Sequence, residues 1–262
     1  MSESQISLPN PLREKMQSGK LAVGMIARLI RGVEIVAIAR TAGFDCLFID
    51  LEHNGFSLET VTQICLAANM AGVTPLVRVA ALDEQQIAQA FDCGAMGVIV
   101  PQIETAGDAR RAVDAAKFPP LGARSIMPCL PHLLFRPAPA VPAMRAVNDA
   151  TLVIAMIESR KALDAVEEIA AVEGVDMLLV GANDLSNALD LPGQLDHLDV
   201  RAAFQRVAEA CHANGIFFGV GGMGQTPELA KEMIALGARY ATAGADITFM
   251  INAATANAKK FE

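Results

Sequence analysis

Two carboxylates in this chain fall where parallel α/β proteins keep their ligands. The stretch from Leu152 to Leu185, LVIAMIESRKALDAVEEIAAVEGVDMLLVGANDL, reads as strand, helix, strand. Two short apolar runs, LVIAMI and DMLLVG, flank a segment in which Ala162, Val166, Ile169 and Ala170 recur at helical spacing. The crossover of such a βαβ unit is right-handed. Each strand delivers one acid just past its C-terminal end, Glu158 from the first and Asp184 from the second. Barrels and open sheets bind ligands at that strand end. Two converging carboxylates there suit a hard divalent cation that keeps water positions open, as Mg²⁺ does. The competing assignment is that each acid only caps a helix N-terminus.

Further polar groups fall at equivalent points. The run FIDLEHNGFS brings Asp50, Glu52 and His53 to the end of an earlier strand. Imidazole exchanges protons near neutral pH, so His53 is a candidate general base; the plainer alternative is a polar surface histidine. TPLVRVA places Arg78 at the end of the next strand. A guanidinium in an apolar strand is costly unless it meets an anion, which is either a bound substrate or the carboxylate of Asp50 or Glu52. GVIVP ends a fourth strand at Pro101, on the same rim. Farther on, Arg124 in GARS is either a lid residue or a solvated one.

These residues need a scaffold that presents many strand ends together. Hydrophobic periodicity predicts strands near 21–26, 45–50, 74–79, 96–100, 152–157, 176–180, 216–220 and 239–243. Helices are expected near 31–42, 57–71, 83–92, 105–116, 159–171, 199–214, 226–236 and 245–259. Eight strands alternating with eight helices predict a (β/α)₈ TIM barrel. A short helix from Pro9 to Gly19 would close its bottom. With no shift in composition and no low-complexity tract, residues 1–262 read as a single domain. The connection from Phe118 to Ala150 is long and holds seven prolines, which points to a functional lid or an interface arm. In the last helix Ile247, Met250, Ile251 and Ala254 form an apolar stripe. That stripe packs either on its own barrel or on a neighbour.

Composition narrows the partners. The hydrophobic fraction is 53% and mean hydropathy is +0.36, yet no uncharged apolar run reaches the length of a membrane span. Strands buried on both faces account for the excess. A net charge of −8 argues against nucleic acid and gives no sign of attraction to an anionic membrane surface. With no Trp and one Tyr, base stacking is disfavoured. The N-terminus has no basic-then-apolar signal pattern. Five cysteines without a C-x-x-C pair read as reduced thiols of a cytoplasmic protein.

Six segments in order, GFDCLFIDLEH, PLVRV, FDCGAMGVIVPQIE, FPPLGARS, MIESRKALDAVEEIAAVEGVDMLLVGANDLS and GARYATAGAD, span nearly the whole chain. Together they resemble the class II, metal-dependent pyruvate aldolases of the HpcH/HpaI type. That family includes 4-hydroxy-2-oxoheptanedioate aldolase and 2-keto-3-deoxy sugar-acid aldolases. The resemblance implies a (β/α)₈ barrel, a homo-hexamer of dimers with exchanged C-terminal helices, and Mg²⁺, Mn²⁺ or Co²⁺. It also implies a small-molecule 2-oxo acid and an aldehyde as substrates. By resemblance Glu158 and Asp184 are the metal ligands and His53 is the base. Arg78 stabilises the enolate oxygen, and Asp92 raises the basicity of His53.

Three departures stand out. Met156 occupies a position where relatives commonly carry a pyruvate-holding Gln, on the same inward face as Glu158. Ala182-Asn183-Asp184 replaces the common Pro-Ala-Asp, so Asn183 is expected to take over part of pyruvate binding beside Asp184. GMIAR lacks the Trp that close relatives carry after the first strand, which implies a different aldehyde pocket. Asp92 also precedes Gly94 at a helix C-terminus, which lies at the bottom of a barrel.

The acid pair also admits a metal-enolate lyase or condensing enzyme acting on a CoA thioester or a dicarboxylate. A non-metal reading takes GVGGMG, 219–224, as a phosphate cradle after the seventh strand. A third reading is a non-catalytic scaffold. No lysine ends a strand, which argues against a Schiff-base aldolase.

Overall fold

A computed structural model describes residues 6–222 and 226–261. Eight parallel strands pair in sequence order and close on themselves: β1 Ala22–Ala27, β2 Cys46–Asp50, β3 Thr74–Arg78, β4 Gly97–Val100, β5 Leu152–Ile157, β6 Met177–Gly181, β7 Phe217–Gly221 and β8 Tyr240–Ala245. The expected (β/α)₈ barrel is therefore present, with every strand within two residues of its expected bounds.

The first half carries α1 Pro11–Gln17, α2 Glu34–Thr41, α3 Leu58–Ala71, α4 Glu84–Asp92, α5 Ala106–Ala116 and α6 Ala140–Ala150. The second half carries α7 Arg160–Asp164, α8 Val166–Ala170, α9 Ala182–Ala188, α10 Leu198–Asn214, α11 Pro227–Ala235 and α12 Asp246–Ala258.

Alternation along the strands sorts their side chains. Cys46, Phe48, Leu76, Ile99, Ile154, Met156, Met177, Leu179 and Tyr240 fill the barrel interior, with Ile26 packed against them. Close packing there needs small residues as well as large ones. A Cβ on Gly24 would lie 2.6 Å from the Tyr240 hydroxyl. Leu12 and Met16 of α1 join the same cluster from below, so α1 does close the bottom. Ion pairs from Arg13 to Asp176 and from Lys15 to Asp45, each 2.7 Å, tie it there.

The long connection differs from expectation in two ways. It contains α6, in which Ala143, Ala146, Val147 and Ala150 are buried. Pro142 is tolerated because it lies in the first turn, where N–H groups have no helical partner. The connection also joins the end of α5 to the start of β5, so it lies at the bottom rim and is no lid over the strand ends of its own chain. Phe118, Leu130, Ala143 and Val147 pack together there with Ile6 and Leu8.

The helix expected over 159–171 is split into α7 and α8 at Ala165, and α9 is an extra short helix after β6. In α12, Ile247, Met250 and Ile251 are 39%, 52% and 57% exposed, so the apolar stripe is not covered by its own barrel.

Candidate active site

The C-terminal ends of β2, β3, β5 and β6 carry Asp50, Glu52, His53, Arg78, Glu158 and Asp184. β5 and β6 are neighbours, with Ile157 opposite Val180. Glu158 follows β5 directly, and Asp184 sits in the first turn of α9, two residues after Ala182. Neither acid is a helix cap. Ser159 caps α7, its hydroxyl accepting from the Ala162 N–H at 3.0 Å, and α9 has no side-chain cap.

Glu158 leans over the end of β6. A Cβ at Gly181 would lie 3.1 Å from Glu158 Oε2, so glycine leaves the room this carboxylate occupies. The Gln102 N–H donates to Glu158 Oε1 at 2.7 Å. Gln102 adopts φ 55° to do so, an unfavourable backbone conformation of the kind held at functional sites. The sequence marks only Pro101 at this rim, and not Gln102. The available signal was that proline has no N–H, so the first amide past β4 belongs to Gln102.

Burial pushes the Glu158 carboxyl above its ordinary value, against the pull of the Gln102 amide. The nearby Glu52 and Asp184 carboxylates push the same way. Three acids thus crowd one region. Glu52 Oε2 is buried and accepts no directed hydrogen bond from the described residues, although Arg78 Nη1 lies 2.7 Å away as an ion-pair partner. Among the described residues no three acidic, histidine or cysteine side chains form a closed metal cage. The donor set is an open pair, Glu158 and Asp184, with excess negative charge beside it. An oxygen-preferring cation that retains water or substrate ligands fits such a pair.

Arg78 is held on the facing side of the mouth. Its Nε and Nη2 donate to Asp50 Oδ1 and Oδ2 at 2.9 and 2.7 Å, and its guanidinium lies over the Phe48 ring at 5.2 Å. Both carboxylates foreseen as its alternative partners, Asp50 and Glu52, are in fact engaged. Burial pushes the Asp50 carboxyl up, but the bonds from Arg78 and Arg28 prevail and hold it below its ordinary value.

Asp50 Oδ1 also receives the backbone N–H groups of Glu52 and His53, at 3.2 and 3.3 Å. This turn projects His53 into solvent, 55% exposed, with Nε2 3.6 Å from Glu52 Oε2. The carboxylate beside His53 in this chain is therefore Glu52.

Asp92 ends α4 at the bottom rim and pairs with Arg124 at 2.6 Å. The structure does not bring it to His53 within one chain. Arg124 is neither a lid residue nor solvated. Its side chain is 1% exposed and lies between the Phe91 and Phe118 rings, at 5.1 and 4.7 Å. Asn183 is exposed next to Asp184, and Met156 is buried among the interior residues below Glu158. Of the glycine-rich segment 219–224, Met223 and Gly224 lie outside the described residues.

The model of the HpcH/HpaI aldolase/citrate lyase family matches residues 32–253. The chain is 40% identical over 220 residues to the 4-hydroxy-4-methyl-2-oxoglutarate aldolase tasA of Hapsidospora irregularis, covering 83% of this chain and 82% of that one. It is 34% identical over 240 residues to the 2-dehydro-3,6-dideoxy-6-sulfogluconate aldolase of Pseudomonas putida, covering 92% and 91%. Among solved structures, an HpcH/HpaI aldolase from Desulfitobacterium hafniense DCB-2 superposes with a TM-score of 0.91 at 28% identity over 97% of both chains.

Proposed function

We propose a divalent-metal-dependent cleavage of 4-hydroxy-2-oxo acids for this chain, which belongs to the HpcH/HpaI aldolase/citrate lyase family. It is a carbon–carbon lyase of the pyruvate-aldolase kind. Family members generally depend on a divalent metal. The observation that carries the reading for this chain is the open Glu158–Asp184 pair on adjacent strand ends, with Arg78 fixed across the mouth by Asp50.

In the cleavage direction His53 takes the proton of the 4-hydroxyl, acting as general base. The bond between carbons 3 and 4 breaks, and its electron pair stays with the pyruvate half as an enolate. Arg78 places fixed positive charge where the enolate oxygen develops its own. The proton taken up by His53 then returns, through solvent, to carbon 3, and pyruvate leaves with the carbonyl product. Glu158 and Asp184 would hold Mg²⁺, Mn²⁺ or Co²⁺, which when bound supplies Lewis-acid stabilisation of the same oxygen. Asn183, exposed beside Asp184, supplies an amide toward the pyruvate carboxylate in place of the group that Met156 lacks.

Asp92 lies at the opposite rim from the His53 of its own chain, so any action on a His53 falls on that of another copy. Oligomer formation is part of the same reading, a homo-hexamer with α12 seated on a neighbour. The exposed stripe at Met250 and Ile251 supports it. Five free cysteines, four of them buried, suit a reducing cytoplasm.

Purified protein should lose aldol cleavage on chelation and regain it with Mg²⁺, Mn²⁺ or Co²⁺. Cleavage that ignores the chelator would sink the metal assignment. Deleting residues from Ala245 onward should give aggregated protein, and a soluble, active monomer would refute helix exchange.

A further inference from the structure

Arg28 immediately follows β1. Ile26 faces the barrel interior, so the two-residue period of the strand directs Arg28 into the mouth. Its Nε donates to Asp50 Oδ2 at 2.8 Å, the same oxygen that Arg78 Nη2 reaches at 2.7 Å. One carboxylate thus holds two guanidiniums side by side.

The two are used differently. Arg78 commits all three nitrogens, two to Asp50 and Nη1 to Glu52. Arg28 commits only Nε. No described residue bonds its Nη1 or Nη2, and its side chain is 36% exposed. Nor does it ride on a loose loop. The buried Asp246 carboxylate accepts the backbone N–H groups of Arg28, Leu29 and Ile30 at 2.9–3.1 Å. A guanidinium anchored through Nε presents its remaining nitrogens as a fork. A carboxylate fits such a fork with two parallel hydrogen bonds.

We propose that Arg28 binds a carboxylate on the acceptor, making the preferred acceptor a 2-oxo acid rather than a neutral aldehyde. The substrate cleaved is then a 4-hydroxy-2-oxo diacid with its second carboxylate on the carbinol carbon. This rests on the pyruvate-aldolase reading. Arg78 serves the oxygen of the pyruvate half, and Asp50 sets Arg28 directly beside it. Only the bond being made or broken joins the two halves. A carboxylate one bond from the attacked carbonyl therefore falls within reach of Arg28. The reaction balances without a further reactant. The hydroxyl proton goes to His53, the C–C electron pair goes to the enolate, and the products are pyruvate and a second 2-oxo acid.

The test uses two acceptors with the same two-carbon skeleton, glyoxylate and glycolaldehyde, with pyruvate as donor and metal at fixed concentration. Wild-type protein should favour glyoxylate in kcat/KM. Arg28→Met should lower the glyoxylate-to-glycolaldehyde ratio roughly 10²-fold, the scale of hydrogen bonding to a charged group. Arg28→Lys, which keeps charge but loses the fork, should fall between. An unchanged ratio, with both acceptors losing rate equally, would overturn the proposal and leave Arg28 as a positioning residue for Asp50. A wild-type preference for glycolaldehyde would also overturn it. Deuterium exchange at the methyl group of pyruvate, measured without acceptor, separates the two levels. If wild-type protein shows no metal-dependent exchange, the aldolase reading itself fails and takes this one with it. If exchange is normal, the acceptor ratio judges Arg28 alone.

Discussion

Each rim of the barrel buries an arginine against an aspartate and an aromatic face, and the two are treated in opposite ways. At the upper rim Arg78 has a bidentate Asp50, a second acid in Glu52, and Phe48 beneath it. Arg28 and two backbone amides complete the coordination of Asp50. At the lower rim Arg124 is sealed between two phenylalanines with a single contact to Asp92. Its Nε and Nη1 are buried without partners among the described residues, and burial pulls its pKa down against the opposing pull of Asp92. A buried charge is favourable only when its remaining hydrogen-bonding capacity is met. The upper network meets it and faces an opening. The lower pair does not, and Asp92 is 43% exposed. Charge at the upper rim is organised to act on something that arrives. At the lower rim, within one chain, it is incompletely satisfied and held in place by packing.

Substitutions at the two rims should therefore fail differently. Glu158→Ala and Asp184→Ala should each abolish metal-dependent cleavage while the unfolding transition stays near that of wild type. Wild-type turnover in either variant at ordinary metal concentration would mean the metal site is misplaced.

His53 and Arg78 come next. Oxaloacetate decarboxylation passes through the same enolate, but CO₂ leaves without removal of a hydroxyl proton. His53→Ala should lower aldol cleavage by roughly 10²–10⁴ and largely spare decarboxylation. Arg78→Ala should lower both by about 10²–10³. Equal loss of both reactions in His53→Ala would shift the base assignment to Glu52.

At the lower rim the readout is stability. Asp92→Ala leaves a buried guanidinium without a counter-charge and should cost about 3–5 kcal/mol in denaturant unfolding. Arg124→Met removes that charge and leaves Asp92 to water, so its effect should be smallest, within about 1 kcal/mol. The double variant should regain the stability lost in Asp92→Ala. If Asp92 also serves the His53 of another copy, the double variant will unfold normally and still cleave slowly. If the pair is only structural, rate will return with stability.

The contrast also explains what could be read from sequence. Strand bounds, the barrel and the rim positions of Glu158, Asp184, Arg78 and His53 follow from local periodicity, since each strand end is fixed by its own βα unit. The partners of Arg124 and Arg28 do not. They depend on which elements meet across the fold, 22 residues apart for Arg28 and Asp50 and 32 for Arg124 and Asp92. Helix α6 was hidden by the prolines around it, although Ala143, Ala146, Val147 and Ala150 carry a helical face. Gln102 was hidden because its contribution is a backbone amide, which every residue but proline has.

Asp246 closes β8 and opens α12, and its carboxylate grips the backbone that carries Arg28. In the assembly proposed above, with α12 on a neighbouring copy, one joint would be shared by the contact between subunits and the acceptor side of the mouth. Binding free energies coupled through such a joint are reciprocal. Whatever factor assembly adds to the affinity for an acceptor, the acceptor returns to the affinity between subunits. Protein concentration then becomes a variable of substrate recognition. Diluting the enzyme toward its dissociation range should weaken the acceptor side while the proposed metal and pyruvate sites on β5, β6 and β3 keep their affinity.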